Sequence, residues 1–284
     1  MKRVAIQGIK GAFHEVAAKK YFEHEEIEII GEKNFEDVVQ SVINGNSDFW
    51  VIAIENTIAG TIYPNLNLLK DKPVDICGEI FIRIKQNLAV LPWTKIEDLK
   101  EVHSHYMALN QTRDFFHHYP HIQLINAEDT ALAMQQVSTL KDKTIWAVGS
   151  ELAAEMYGLE IIGEGIETNK KNYTRFFIIQ PQKEEKKSDF NKVSLSFVLS
   201  HHVGSLVQIL AVISAYGMDL TKIESLPILW EPLNYRFYID ITFEDIEKYR
   251  EMISAIHPLL KELHILGEYQ AWETSRTQIH QEEN

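Results

Sequence analysis

The chain has 284 residues, of which 45% are hydrophobic and 24% are charged, a composition that is typical of globular proteins and excludes wholesale disorder and collagen-like repeats. It carries 28 basic and 41 acidic residues, a net charge of −13, so binding to nucleic acid or to an anionic membrane would need a local basic patch. The sequence contains no such patch, no apolar stretch near the ~20 residues that span a bilayer, and a single cysteine, Cys77. We expect a cytoplasmic protein of about two domains without disulfides, which binds neither nucleic acid nor membrane.

Residues 1–180 alternate between short apolar strands and helical stretches. The strands are RVAIQ, IEII, FWVIAIE, NLAVL, IQLIN and TIWAVG, and the helical stretches include FEDVVQSVINGN and DTALAMQQVSTL. Strands that alternate with helices predict βα units and a mostly parallel sheet. Because such sheets bind ligands at the carboxyl ends of their strands, the polar residues that follow these strands are the candidate site residues.

A polar segment, Gln180–Asp189, separates this part from the rest of the chain. It contains almost no apolar residues and therefore predicts a linker. Beyond it the sequence alternates with period two, becomes helical over 204–216, and continues as two strands, a helix and a last strand. This βαββαβ order is ferredoxin-like. The predicted organisation is a first domain at 1–180, a linker at 181–191, a second domain at 192–273 and a tail at 274–284.

Three of the predicted strands end in segments with polar or glycine residues. These are GIKGAFH at 8–14, ENTIAGT at 55–61, and Ser104, which a predicted helix carrying Gln111 follows. Backbone N–H groups of the first segment suit an anion, and the other two offer hydroxyls and amides. Each also has a structural explanation, namely a tight turn, a helix N-cap at Ser104 and a solvent-facing glutamine.

The segment NYTRF, at 172–176, places the cation of Arg175 between the hydroxyl of Thr174 and the ring of Phe176. A planar guanidinium is suited to gripping a carboxylate, and a structural ion pair explains it equally well. Together these segments describe a site for a small carboxylate-bearing anion. No metal is expected, because the histidines at 103–121 lack a convergent ligand set, and the glycine spacing matches no nucleotide loop, so no cofactor is expected either.

The motifs resemble those of the monofunctional prephenate dehydratase family, whose members make phenylpyruvate on the route to phenylalanine. The resemblance covers nearly the whole chain and rests on QGIKGAF, IENTIAGT, HSHYMAL followed by Gln111, GSELAAEMYGL and NYTRF. The second module resembles an ACT domain, a ferredoxin-like amino-acid sensor, through GSLV at 204–207 and ESLP at 224–227.

This resemblance implies a two-lobed α/β catalytic domain, like that of periplasmic binding proteins, and a ferredoxin-like ACT domain that binds L-phenylalanine as a feedback effector. It also implies a homodimer or homotetramer. The residues that it assigns to catalysis are Thr174, Asn56 and Gln111. Those that it assigns to substrate binding are Arg175, Phe176, Thr57, Thr61, Ser104 and Glu55. Those that it assigns to phenylalanine binding are Gly204, Ser205, Leu206, Val207, Glu224 and Ser225.

The chain departs from the family pattern at several positions. Ile9 stands where the family commonly has proline and His14 where it has serine or threonine, while in the sensor Leu226 replaces an arginine and Val203 a proline. Two other functions stay open: an arogenate dehydratase, which needs a pocket carboxylate for the substrate's ammonium group, and a non-catalytic amino-acid-binding sensor.

Overall fold

The structure is a computed structural model that describes residues 1–69, 72–183, 188–200, 202–228, 230–231 and 234–272. The chain folds into two compact units. The first contains the described residues among 1–70 and 80–177, and the second contains those among 71–79 and 178–273. The predicted tail and residues 184–187 of the predicted linker lie outside the described residues, and the predicted domain boundaries stay predictions.

The amino-terminal part alternates strands and helices, as the apolar periodicity predicts. Its elements are β1 (Lys2–Gln7), α1 (Phe13–Tyr21), β2 (Ile27–Glu32), α2 (Phe35–Ile43), β3 (Phe49–Asn56), β4 (Gly60–Thr61), α3 (Tyr63–Asn67) and β5 (Val74–Arg83). Strand β1 pairs in parallel with both β2 and β3, which is the pairing expected of βα units.

A second sheet follows, and it is mixed. Its lobe contains β6 (Asn87–Val90), β7 (Glu101–Ser104), α4 (Tyr106–Gln111), α5 (Arg113–His117), β8 (Gln123–Asn126), α6 (Thr130–Leu140), β9 (Ile145–Gly149), α7 (Glu151–Met156) and β10 (Glu160–Gly163). The strand order is β10-β6-β9-β7-β8. Strand β7 is parallel to β8 and β9, whereas β6 is antiparallel to β9 and β10. The expectation of mostly parallel pairing therefore holds only in part, since β6 runs opposite to both of its neighbours in this sheet.

Strand β11 (Tyr173–Pro181) returns the chain to the first sheet, whose order is β2-β1-β3-β11-β5 with β4 paired to β3. The two segments that connect the sheets, 84–86 and 164–172, run side by side. The Ile84 N–H donates to the Asn172 carbonyl and the Ile166 N–H donates to the Gln86 carbonyl, both at 2.7 Å. The first unit thus has two lobes joined by paired connecting segments, which confirms the expected two-lobed α/β fold.

The second unit contains β12 (Lys192–Leu199), α8 (Ser205–Ala215), β13 (Asp219–Pro227), β14 (Tyr235–Thr242), α9 (Ile246–Ile256) and β15 (Leu260–Tyr269). Its antiparallel sheet has the order β13-β14-β12-β15, so the predicted βαββαβ arrangement is confirmed. Alternate residues of β12, such as Leu195 and Phe197, form a core with Ile209 and Ile213 of α8. Across the described ranges of both units, no helix is long and apolar enough to cross a membrane.

Candidate active site

A cavity of about 440 Å³ in the first unit is lined by residues of both lobes. Helices α1, α4 and α6 all begin at this cavity and contribute residues of their first turns to its lining. Strands β3 and β11 contribute Asn56, Thr174 and Phe176. Because a helix N-terminus presents unpaired N–H groups and a partial positive charge, this wall favours an anionic ligand.

Asn56 lies at the end of β3, where its side chain closes the turn to β4. Its Oδ1 accepts hydrogen bonds from the backbone N–H groups of Ile58 and Ala59, both at 2.9 Å, and Gly60, at φ +78°, provides the left-handed conformation that the turn needs. Since a backbone N–H can only donate, the Asn56 amide has one possible orientation. Its Nδ2 therefore donates to Thr174 Oγ1, at 2.9 Å.

This orientation is transmitted along a chain of side-chain amides. Asn56 Nδ2 donates to Asn172 Oδ1 at 2.7 Å, and Asn172 Nδ2 donates to Gln111 Oε1 at 3.0 Å. Gln86 Nε2 also donates to Gln111 Oε1, at 3.3 Å, which leaves the buried Gln86 Oε1 without a partner among the described residues. Sequence reasoning assigned no role to Asn172 or Gln86. Both lie on the connecting segments; Asn172 opens the NYTRF motif, which could have drawn attention to it, whereas no local pattern marks Gln86.

Gln111, whose side chain joins this chain of amides, is the last residue of helix α4. The Thr112 hydroxyl donates to the carbonyls of Ala108 and Leu109, at 2.9 and 3.2 Å, and the Thr168 N–H donates to the Gln111 carbonyl at 2.8 Å. The single helix predicted after Ser104 is therefore divided into α4 and α5.

The predicted N-cap at Ser104 is wrong. His105 caps α4, since its Nδ1 accepts from the Met107 N–H at 3.4 Å. Ser104 is still part of β7, and its hydroxyl donates to the Val148 carbonyl of neighbouring β9 at 2.6 Å. A side chain already engaged across the sheet is not available to cap a helix.

An aromatic wall faces the amides. The rings of Phe176 and Phe35 contact the ring of His14 edge-on, with centroids 5.2 and 5.9 Å apart, and all three residues line the cavity. Burial lowers the pKa of His14 to about 4, so the ring is neutral near pH 7.

The charged groups of the lining are acidic. Glu128 and Asp129 lie at the start of α6, where Asp129 Oδ1 accepts from the N–H groups of Ala131 and Leu132 at 2.8 and 3.0 Å. Burial lowers the pKa of His105. Among the described residues that line the cavity there is neither lysine nor arginine. The N-cap residue of α1, Ala12, has no capping side chain, and the buried carboxylate of Glu15 accepts from the Gly11 N–H, at 2.6 Å, just before this helix.

Arg175 does not line the cavity. Side chains alternate along β11, so Thr174 and Phe176 face the cavity while Arg175 faces away. Its guanidinium lies over the ring of Phe177, at 4.7 Å, and its Nη1 is 3.6 Å from Glu55 Oε1. Of the two explanations that the sequence left open, this placement favours the structural ion pair over the carboxylate clamp.

The other predicted substrate residues also lie outside the lining. The Thr57 hydroxyl donates to the Lys171 carbonyl at 2.8 Å and accepts from the Tyr173 N–H at 2.9 Å, which holds the start of β11. Thr61 pairs with Glu55 between β4 and β3. These residues position the strands that carry Asn56 and Thr174. Of the assigned catalytic and substrate residues, the cavity brings together Asn56, Gln111, Thr174 and Phe176.

Comparison with known proteins gives consistent matches. The family model described as prephenate dehydratase matches residues 4–184. The chain is 31% identical over 274 residues to the bifunctional chorismate mutase/prephenate dehydratase of Escherichia coli K12, covering 94% of this chain and 70% of that protein. It is 35% identical over 253 residues to arogenate dehydratase/prephenate dehydratase 1 of Arabidopsis thaliana, covering 84% of this chain and 64% of that protein.

Two solved structures are similar over nearly the whole chain. A protein described as a novel type of quorum-quenching acylase has a TM-score of 0.88 and 25% identity, with 97% of this chain and 100% of that chain covered. The prephenate dehydratase of Arthrobacter aurescens, solved in complex with L-Phe, has a TM-score of 0.83 and 24% identity, with 94% of this chain and 89% of that chain covered.

Proposed function

Since the chain belongs to the prephenate dehydratase family, we propose that Thr174 is the hydrogen-bond donor that assists its reaction. The enzyme is a carbon–oxygen lyase that converts prephenate into phenylpyruvate in L-phenylalanine biosynthesis. The carbon–carboxylate bond breaks, its electron pair moves through the ring, and the hydroxyl at the opposite ring carbon leaves. Aromatisation drives these steps, and the departing hydroxide needs one proton.

The observation that carries this assignment is the fixed orientation of Asn56. Because Asn56 Nδ2 donates to Thr174 Oγ1, the threonine proton is not used in that contact, and no described residue accepts it. The proton is thus available to an oxygen in the cavity. A preorganised donor of this kind typically contributes about 10²–10³ in rate.

The test is to reverse the polarity of this contact. Asn56→Asp keeps the shape of the side chain and still accepts from the N–H groups of Ile58 and Ala59. Its second carboxylate oxygen, however, accepts a hydrogen bond from the Thr174 hydroxyl, which then no longer donates to the substrate. We expect kcat for phenylpyruvate formation to fall about 10²-fold with KM little changed. Thr174→Ala is expected to do the same and Thr174→Ser to retain activity.

The double variant Asn56→Asp/Thr174→Ala provides the control. If both changes remove the same donor, the double variant loses no more than either single variant. Multiplicative losses, or an Asn56→Asp enzyme of normal kcat, would show that the amide orientation does not control the donor.

We assign the binding of the anionic groups of prephenate to backbone N–H groups at the start of α1. Phe13 and His14, in the first turn of α1, line the cavity, and the N-cap residue Ala12 has no capping side chain; backbone N–H groups at a helix start can hold a carboxylate without a cation. The ring of the substrate fits beside Phe176 and Phe35. In this proposal backbone groups bind the carboxylates, and Arg175, on the face of β11 turned away from the cavity, has a structural role.

Acyl transfer is less compatible with the site. A nucleophilic threonine needs a neighbouring base to take its proton, and the group beside Thr174 is an amide that donates to it. Similarity to a structure described as an acylase therefore adds support for the fold and not for that activity.

A second candidate substrate is arogenate, which bears an ammonium group where prephenate has a keto group. The carboxylates of Glu128 and Asp129 in the lining support it. Glu128→Gln and Asp129→Asn remove charge while Asn still caps α6. We expect each to lower kcat/KM for arogenate up to about fivefold relative to prephenate. An unchanged ratio excludes these carboxylates as the ammonium site.

Feedback binding of L-phenylalanine is proposed for the second unit, at Gly204, Ser205, Leu206, Val207, Glu224 and Ser225. Gly204 precedes α8 at φ +86°, α8 contacts β13, and Val207 is 68% exposed. Val207→Glu should relieve inhibition of turnover by L-phenylalanine. Ile265→Glu, an exposed apolar residue on the other edge strand, is the matched control. Equal inhibition of both variants and wild type would move the effector site elsewhere.

A homodimer or homotetramer is proposed for the assembly. The second unit exposes large apolar side chains, among them Val203, Val207, Trp230 and Tyr235, and exposed apolar surface of this kind is typical of protein contacts. Sedimentation equilibrium measures the mass directly, and a monomer at micromolar concentration would exclude both assemblies.

A further inference from the structure

His14 is a cavity residue to which neither the motifs nor the mechanism assign a role. It is the second residue of α1, and its partly exposed ring lines the same cavity as Thr174. The edge-on contacts with Phe176 and Phe35 hold the ring plane. Such contacts fix orientation as well as burying area, so the two ring nitrogens have defined directions.

A hydrogen bond identifies which nitrogen carries the proton. The backbone N–H of Ala53, in β3, donates to His14 Nε2 at 3.4 Å. A ring nitrogen that accepts a hydrogen bond cannot itself be protonated, so the neutral ring carries its hydrogen on Nδ1. The lowered pKa of His14, about 4 because of burial, agrees with a neutral ring at physiological pH.

The Nδ1–H group has no acceptor in the described part of the chain, and Nδ1 is not among the fully buried polar atoms without a partner. The donor therefore reaches accessible space, and the accessible space beside His14 is the cavity. A polar donor that has no protein partner and reaches a cavity is satisfied there by water or by a ligand.

We propose that His14 is a substrate-binding residue that donates from Nδ1–H to a carboxylate oxygen of the bound substrate. The inference rests on the proposed function, because it takes this cavity as the prephenate site. A neutral donor at this position complements the N–H groups of the same first turn of α1. The neutral His14 ring can bind an anion by donating a hydrogen bond. A cation at the same place would also pair with Glu128 and Asp129 at the start of α6.

The two nitrogens can be tested separately with amide side chains. Asn places an amide nitrogen near the position of histidine Nδ1, whereas Gln reaches the position of Nε2. We expect His14→Asn to keep KM for prephenate within about threefold of wild type. His14→Gln and His14→Leu should raise KM about 10- to 100-fold, which is the effect of one lost hydrogen bond to a charged group, while kcat changes less than KM.

The outcomes separate the possibilities. A normal KM in His14→Gln with a raised KM in His14→Asn would assign His14 the structural task of holding Ala53 and overturn the proposal, as would unchanged KM in all three variants.

¹⁵N NMR of the wild-type histidines gives an independent readout that needs no variant to fold. The proposal requires a protonated Nδ1 and an unprotonated Nε2 for His14, and the opposite tautomer overturns it. Wild-type enzyme that forms no phenylpyruvate would contradict the proposed function itself, which the NMR result does not depend on.

Discussion

At the scale of the residue, the position of a side chain on its strand decides its role. Thr174, Arg175 and Phe176 are consecutive in the sequence, yet only the first and third line the cavity. Arg175 is 2% exposed and lies between the ring of Phe177 and Glu55. A buried guanidinium in such surroundings stabilises the fold through its paired charge and its contact with an aromatic face.

Arg175→Leu should accordingly affect stability more than substrate affinity. Removal of the cation leaves the partly exposed Glu55 without this partner and removes the contact with the Phe177 ring, and it is expected to lower the free energy of unfolding by about 1–2 kcal/mol, as measured by urea denaturation. KM for prephenate should change less than about threefold, since the side chain does not reach the cavity. A large rise in KM with unchanged stability would restore the carboxylate-clamp interpretation.

His14 also makes a prediction about pH. Its pKa is about 4 in the folded protein and near 6.5 in an unfolded chain, so between these values the unfolded state binds more protons. The contribution of His14 to stability is therefore complete above pH 6.5 and is lost as the pH falls towards 4, on the order of 3 kcal/mol.

Urea unfolding at pH 7 and pH 5 measures this effect when wild type is compared with His14→Asn. The variant cannot titrate at this position, so its stability should decrease less on acidification than that of wild type. An identical decrease in both proteins would mean that His14 is not buried in a neutral form.

At the scale of the element, the glycine-rich turn between β1 and α1 brings the lobes together. The Ser150 hydroxyl, at the start of α7, donates to the Gly11 carbonyl at 2.6 Å, and the Tyr157 hydroxyl donates to the Lys10 carbonyl at 2.8 Å. A Cβ on Gly11 would lie 2.9 Å from both Cα and Cβ of Ala153. The segments QGIKGAF and GSELAAEMYGL therefore contact each other in the folded protein.

Gly11→Ala should disturb this contact beyond the cost of its backbone conformation. Gly11 has φ +94° and Gly45 has φ +73°, but nothing lies within 4 Å of a Cβ on Gly45. Gly45→Ala is therefore the matched control and should cost about 1–2 kcal/mol for the left-handed conformation alone. Gly11→Ala should cost clearly more and raise KM, because it moves the first turn of α1. Equal losses would exclude the close approach as the reason for glycine.

At the scale of the whole molecule, the two units are not consecutive along the chain. Residues 72–79 group with the second unit, although described residues of the first unit precede and follow them. Within the second unit, Lys192 Nζ donates to both carboxylate oxygens of Glu79, at 2.8 and 3.0 Å, and the Trp272 N–H donates to Glu79 Oε1 at 3.2 Å. Both charged side chains are buried, so each depends on its partner for solvation.

Lys192→Met should consequently destabilise the protein by about 3 kcal/mol, because it leaves the Glu79 carboxylate buried without its cation. The double variant Lys192→Met/Glu79→Leu removes both charges and should recover much of that loss. A double-mutant cycle from urea unfolding measures the coupling. Additive losses would show that the pair does not hold residues 72–79 to the second unit.

Much of the fold was predictable because its signals are local. Alternation in residues 193–199 identified β12, and the order of periodic segments identified the βαββαβ unit. The motifs around Asn56, Gln111 and Thr174 identified the family, and these three residues line one cavity. These features depend on short stretches of the chain, so they could be predicted without knowledge of the packing.

The contacts between these residues could not be predicted in the same way, because they join segments that are far apart in the chain. Asn56 and Asn172 are 116 positions apart, and their contact depends on the pairing of β3 beside β11 and on the parallel course of the connecting segments. That arrangement brings Asn172 and Thr174 within hydrogen-bonding distance of the Asn56 amide, and the packing of α1 against β3 places Ala53 against His14. Hydrogen bonds between distant segments have no sequence period, because their partners are selected by the packing of sheets and lobes after the local elements have formed.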